Sequence, residues 1–197
     1  MIEQTLRPLA QRLFFSPLAA LLAPHISPNQ MTLLSCILGI CVIPAYYYFG
    51  AWCGTLALLL SGIADVLDGS IARKRGESSP VGGIYDILSD RVVESAAIIA
   101  LYVAIPDSGI ICLFMLSSIL LCITSFLLSG IHTPKDGKKS FYYSPGFMER
   151  AEAFTFFIAI MWLPNWFIGL GLLFTALVLW TTYVRMKELI SQLNSDL

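Results

Sequence analysis

Apolar runs close to the thickness of a bilayer leave this chain little choice but a bundle of membrane-spanning helices. Spans are expected at about 31–49, 51–72, 85–105, 109–131, 149–163 and 166–183. Each is near the ~20 helical residues that cross ~30 Å of hydrocarbon, the fifth least comfortably. Charged residues make up 13% of the 197, against about 25% in soluble domains. The fold class that follows is an all-α membrane protein, one domain over 1–197 with a six-helix bundle at 31–183.

Within this apolar frame the stretch 65–90, DVLDGSIARKRGESSPVGGIYDILSD, stands apart. It places Asp65, Asp68, Asp86 and Asp90 in or beside two strongly apolar segments. Charge near the bilayer centre is costly, so acids there point to a functional site. Asp65 and Asp68 are i, i+3 and Asp86 and Asp90 are i, i+4, so on helices each pair shares a face. Arg73, Lys74 and Arg75 and a Gly/Ser/Pro turn lie between the pairs, which reads as a helical hairpin with its acids facing each other. Four oxygen ligands without His or Cys favour Mg²⁺ or Mn²⁺ over zinc. Hard cations held by carboxylates in a cleft serve phosphate chemistry.

The pattern Asp65-x2-Asp68-Gly69-x2-Ala72-Arg73-x8-Gly82-x3-Asp86-x3-Asp90 resembles the signature of the CDP-alcohol phosphatidyltransferase family, with every fixed position present. Eight such residues would match by chance on the order of once in 10¹⁰ starting positions, far more specific than a lone glycine motif. The resemblance is nearest to bacterial phosphatidylinositol-phosphate synthase and phosphatidylglycerophosphate synthase type members. It implies an enzyme of phospholipid synthesis: an acceptor hydroxyl attacks the lipid-side phosphate of CDP-diacylglycerol and CMP leaves. It implies Asp65, Asp68 and Asp86 as metal ligands and Asp90 as base and further ligand, around two Mg²⁺ or Mn²⁺ ions. It implies that Gly69 leaves room for the nucleotide, that Arg73 grips the diphosphate and that Ser79 contacts the nucleotide. Pro28-Asn29-x2-Thr32 is similar to the family's entry to the first span, which assigns Asn29 and Thr32 to the CDP moiety. A homodimer is implied as well. Lys74 and Arg75 read as topology signals, and Gly82 and Gly83 as turn or close-packing residues.

Past residue 128 the resemblance weakens. Members that transfer to inositol phosphate carry a basic residue where this chain has Ala153, and a Lys/Arg cluster where it has Gly130-Ile131-His132-Thr133. Lys135, Lys138, Lys139 and Arg150 could replace these as an acceptor-phosphate site, or form a solvated loop drawn to anionic lipid. Glycerol-3-phosphate, inositol phosphate and an uncharged polyol all remain open as acceptors.

Residues 1–22 carry Leu6, Leu9, Ala10, Leu13 and Phe14 at helical spacing, opposite Gln4, Arg7 and Gln11, as an amphipathic helix in the interface would. Pro17 and the lack of a small-residue cleavage site argue against a signal peptide. Connections near Gly50, Asp107 and Pro164 carry no Lys or Arg, whereas those at the N-terminus, the signature hairpin and the loop after span four do. Both termini and the acids are therefore expected at the cytoplasmic face, in a bacterial inner or plasma membrane. Tyr46, Tyr47, Tyr48, Trp52, Trp162 and Trp166 would form an aromatic belt on the far side. The five cysteines all lie in apolar runs without metal spacing and read as packing residues. Nothing points to a nucleic-acid partner. The rival from another class is a metal-ion or proton-coupled transporter using the acids as its ion site. Acids near span ends rather than the midplane, and the Gly-x2-Ala-Arg insert, argue against it.

Overall fold

The computed structural model describes residues 11–132 and 148–195. A π-helical turn, Gln11–Phe15, leads into α1, Ser16–Leu22. Then come α2 (Pro28–Ile40), α3 (Val42–Arg75), α4 (Pro80–Ala104), α5 (Gly109–His132), α6 (Arg150–Trp162) and α7 (Phe167–Ser195). No strand occurs among the described residues. The helical region at the N-terminus is thus seen from Gln11; the other half of the amphipathic pattern lies outside the described residues. Among the described residues, three segments are long and apolar enough to cross a membrane: Val42–Arg75, Gly109–His132 and Pro164–Asn194. α4 has the length, at 25 residues, but carries Asp86, Asp90, Arg91 and Glu94 between its second and fifth turns.

The expected first span, 31–49, is bent rather than continuous. α2 ends at Ile40 and a new helix begins at Val42. Pro44 sits in that first turn; it lacks an N–H and its ring crowds the carbonyl four residues back, that of Ile40. The expected connection near Gly50 falls inside α3, where φ is +79° and ψ −169°, a region open essentially to glycine alone. There the chain folds back, so that a Cβ on Gly54 would meet the Cβ of Tyr46 at 2.9 Å. Tyr46 is consequently buried, its hydroxyl donating to the Met161 carbonyl at 3.4 Å, and leaves the expected aromatic belt. Tyr47, Tyr48, Trp52 and Trp166 are exposed. Trp162 packs edge-on against Trp52 and donates to Thr55 Oγ1 at 3.0 Å.

α2, α3 and α4 pack mutually, and α5 packs on α7, with α6 bridging to α3 and α7. Ser35 and Ser61 lock α2 to α3 reciprocally, each hydroxyl donating to the other's carbonyl at 2.8 Å. Polar side chains with such partners join apolar helices at little desolvation cost. Phe157, Phe174, Ile160, Met115 and Leu101 are fully buried between α4, α5, α6 and α7. The cysteines are all free, as their apolar settings led us to expect.

Gly39 sets the spacing of α2 from α4: a Cβ there would lie 2.4 Å from Val93 Cγ2. Gly39→Val should therefore push apart the helices that carry Thr32 and Asp90. Overpacking of this kind costs about 1–3 kcal/mol. A lowered melting temperature in detergent, with reduced turnover, is the expected outcome; an unchanged melt would show that the two helices do not meet there.

Candidate active site

The last turns of α3 and the first turns of α4 carry the four acids, and the chain between them makes a short turn. Gly76 ends α3 in the left-handed conformation, its φ being +66°. Ser79 caps α4, its Oγ accepting the Gly82 N–H at 3.1 Å, with Pro80 as the first helical residue. Ser-Pro at a helix start is a local signal, because the serine satisfies an orphan N–H and proline has none to lose.

One oxygen each from Asp65, Asp68 and Asp86 lies within 4.8 Å of the others. The helical spacing alone predicts two pairs; packing α3 on α4 turns them into this group of three. Asp68 is 6% exposed, and Thr32 Oγ1 donates to its Oδ2 at 2.6 Å. Thr32 is thereby tied to the acid group from α2, and Ser89 Oγ on α4 reaches the Thr32 carbonyl at 3.5 Å. Asp65 Oδ1 is buried without a hydrogen-bond partner. Three carboxylates this close repel one another, and an all-oxygen set with an orphaned buried atom fits a hard divalent cation.

Asp90 stands beside this group rather than within it. Arg150, at the start of α6, ion-pairs with both Asp90 and Asp65, and its guanidinium lies 5.2 Å from the Phe154 ring centre. Asp90 and Arg150 are sixty residues apart in sequence, so only the docking of α6 on α3 and α4 brings them together.

Two cavities flank the acids. The first is a cleft between α2, α3 and α4 lined by Asn29, Thr32, Gly69, Arg73 and Ser79, together with Asp68 and Asp86. All five residues assigned to the CDP moiety thus line one cleft. At Gly69 a Cβ would come 3.4 Å from Arg73 Nη1, and Arg73 Nη2 donates to Ser70 Oγ at 3.2 Å. Gln11 Nε2 donates to the same hydroxyl, also at 3.2 Å, docking the N-terminal turn on α3.

The second cavity, of about 370 Å³, is walled by Asp65, Asp86 and Asp90 on one side. Arg91, Glu94, Arg150 and Arg185 enter it from three different helices, among apolar side chains of α5 and α7. Of the acceptor candidates, Arg150 is here; Lys135, Lys138 and Lys139 lie outside the described residues. Arg91, Glu94 and Arg185 were not singled out from the sequence. The signal for the first two was available, as charges continuing the acid-bearing face into an apolar helix. Arg185 has no such local mark, since it falls just past the expected end of the last span.

The CDP-alcohol phosphatidyltransferase family model matches residues 25–186, which take in the acid group and both cavities. The chain is 27% identical over 194 residues to the inner membrane protein YnjF of Escherichia coli strain K12, covering 94% of each chain. It is 35% identical over 77 residues to the archaetidylinositol phosphate synthase of Aeropyrum pernix, covering 39% of this chain and 40% of that one. Its fold matches the crystal structure of Mycobacterium tuberculosis phosphatidylinositol phosphate synthase with CDP-DAG bound. The TM-score is 0.73 at 19% identity, over 89% of this chain and 93% of that one. The transporter reading finds no support among these relatives. With the family model matched over most of its length and the four signature acids lining the two cavities, this integral membrane chain belongs to the CDP-alcohol phosphatidyltransferase family.

Proposed function

We propose that the chain transfers the phosphatidyl group of CDP-diacylglycerol to a hydroxyl of a phosphorylated polyol. The observation that carries this reading is that Asp86 lines both cavities. A donor in the α2–α3–α4 cleft and an acceptor in the arginine-lined chamber would meet across it. Asn29, Ser79 and Arg73 hold the CDP moiety on one side, Arg73 as a charge-assisted partner of the diphosphate.

Asp65, Asp68 and Asp86 would hold Mg²⁺ or Mn²⁺, with Asp90 near enough to join as a further ligand. Bound, such ions, two in number, neutralise the pyrophosphate and stabilise charge on the attacking and leaving oxygens. The chain's own part is positional. Thr32 fixes the Asp68 carboxylate. Arg150 and Arg185 face the acceptor: Arg150 Nε and Nη2 and Arg185 Nε are buried donors without hydrogen-bond partners. Guanidinium groups with free N–H groups in one chamber favour a phosphate-bearing acceptor over an uncharged one. When that phosphate draws Arg150, Asp90 is released to accept the proton of the attacking hydroxyl. The new oxygen–phosphorus bond forms at the lipid-side phosphate as the bond to CMP breaks.

The distribution of Lys and Arg supports six crossings, with α2 and the first part of α3 sharing one, and an active site at the cytoplasmic face of a bacterial inner or plasma membrane. The described start of the N-terminal helix, with Leu13, Phe14 and Leu21 exposed, supports an interfacial segment.

Purified protein in detergent, given CDP-diacylglycerol, Mg²⁺ and one acceptor at a time, is expected to release CMP with a phosphorylated polyol. EDTA should abolish the release. Release with serine, choline or unphosphorylated inositol alone would overturn the acceptor assignment, and release unaffected by EDTA would remove the metal.

A further inference from the structure

Three charged groups that line the acceptor chamber, Arg91, Glu94 and Glu149, serve neither donor binding, proton transfer nor the acceptor phosphate in this reading. Glu94 follows Asp90 by four residues, on the same face of α4 and about 6 Å farther along the helix. It is 5% exposed and lines the chamber with Asp90, Arg150 and Arg185. Its partner is Arg91. Arg91 Nη2 donates to Glu94 Oε1 at 2.9 Å, and Nη1 lies 2.7 Å from Oε2. Oε2 is nonetheless buried without an aligned hydrogen bond.

A structural purpose for this pair is weak. Desolvating two charges roughly cancels their attraction, and an apolar pair of similar volume is often at least as stable. A ligand purpose fits better. Arg91 commits both Nη groups to Glu94, so the pair presents no net charge to an incoming phosphate, which Arg150 and Arg185 are left to meet. An ionised carboxylate has about four acceptor positions and Arg91 occupies two at most, leaving room for hydroxyl donors.

Resting on the reading of this chamber as the acceptor site, we infer that Glu94 is a specificity-determining residue for the acceptor, held in place by Arg91. Its carboxylate accepts hydrogen bonds from acceptor hydroxyls remote from the attacking one. The attacking hydroxyl is at Asp90, and the group read by Glu94 is a helical turn away. Hydroxyls across a six-membered ring bridge that gap; the two vicinal hydroxyls of glycerol-3-phosphate do not. The acceptor class is therefore a ring polyol phosphate.

The test is the initial rate of CMP release with CDP-diacylglycerol, Mg²⁺ and either inositol-1-phosphate or glycerol-3-phosphate. Wild-type protein should favour inositol-1-phosphate in kcat/KM. Glu94→Gln should raise the KM for inositol-1-phosphate roughly tenfold or more, as loss of a hydrogen bond to a charged group does. The KM for CDP-diacylglycerol and the rate with glycerol-3-phosphate should stay at wild-type values. Because Glu94→Gln leaves the half-buried Arg91 unpaired, the double variant Arg91→Gln/Glu94→Gln is measured beside it and should show the same acceptor-selective loss. Equal losses with both acceptors, a parallel shift in the KM for CDP-diacylglycerol, or a wild type indifferent to the two acceptors would overturn the inference alone. Release only with unphosphorylated inositol would overturn the acceptor reading of the chamber, and the inference with it.

Discussion

Asp68→Ala should abolish Mg²⁺-dependent binding of the CDP-lipid and, with it, turnover. The effect on the protein itself should run the other way. Asp68 is one of three carboxylates grouped within 4.8 Å, and removing one relieves their mutual repulsion. Without metal, the variant should melt no lower than wild type, apart from the loss of the Thr32–Asp68 hydrogen bond. The difference emerges when Mg²⁺ is added. A cation that binds only the folded state raises the melting temperature by an amount that grows with the logarithm of its concentration above Kd; wild type should gain and Asp68→Ala should not. This readout needs no substrate. An equal Mg²⁺-induced gain in the variant would remove Asp68 from the metal site.

Asp90→Asn is the second large effect, and it separates chemistry from binding. Positioned proton transfer contributes about 10²–10⁴-fold to rate, so kcat should fall by that order while CDP-lipid binding is retained. The geometry makes this variant clean. Asparagine keeps the shape and loses the charge, and Arg150 still has Asp65 as an ion-pair partner. No buried guanidinium is stranded, and a folding defect is not expected from that source. Turnover near the wild-type rate would place the base elsewhere. A loss of CDP-lipid binding together with turnover would instead make Asp90 chiefly a metal ligand.

Everything encoded within one helix or one turn was legible in the chain. The i, i+3 and i, i+4 acid pairs put carboxylates on shared faces because helical periodicity is local. Ser79-Pro80 marks the start of α4, five residues before the expected 85, because an N-cap is satisfied three residues on. The family signature lies in one hairpin, so Gly69, Arg73 and Ser79 could be proposed for the donor side from it, with Asn29 and Thr32 from the separate stretch that opens α2. Even so, one backbone signal was passed over: Pro44 bends the first span. The connection expected near Gly50 is there, with a φ of +79°, but that its reversal buries Tyr46 was not foreseen.

The sequence by itself determined an all-helical membrane chain with four acids at a hairpin and the chemistry those acids belong to. The helices and acids were legible because bilayer-length apolar runs and intramembrane charges are each unambiguous in one dimension; the chemistry came from the resemblance of the hairpin to a family signature. Only the tertiary structure decided which groups meet. It grouped Asp65, Asp68 and Asp86 while pairing Asp90 with Arg150. It carried Arg185 from the last helix to the chamber that holds Glu94, and set Asp86 between two cavities. Those encounters join residues from 18 positions apart, Asp68 and Asp86, to 91 apart, Glu94 and Arg185, across helices whose own residues pack Phe157 against Phe174 and Gly39 against Val93. No local period records them, because they follow from how whole helix faces fit together.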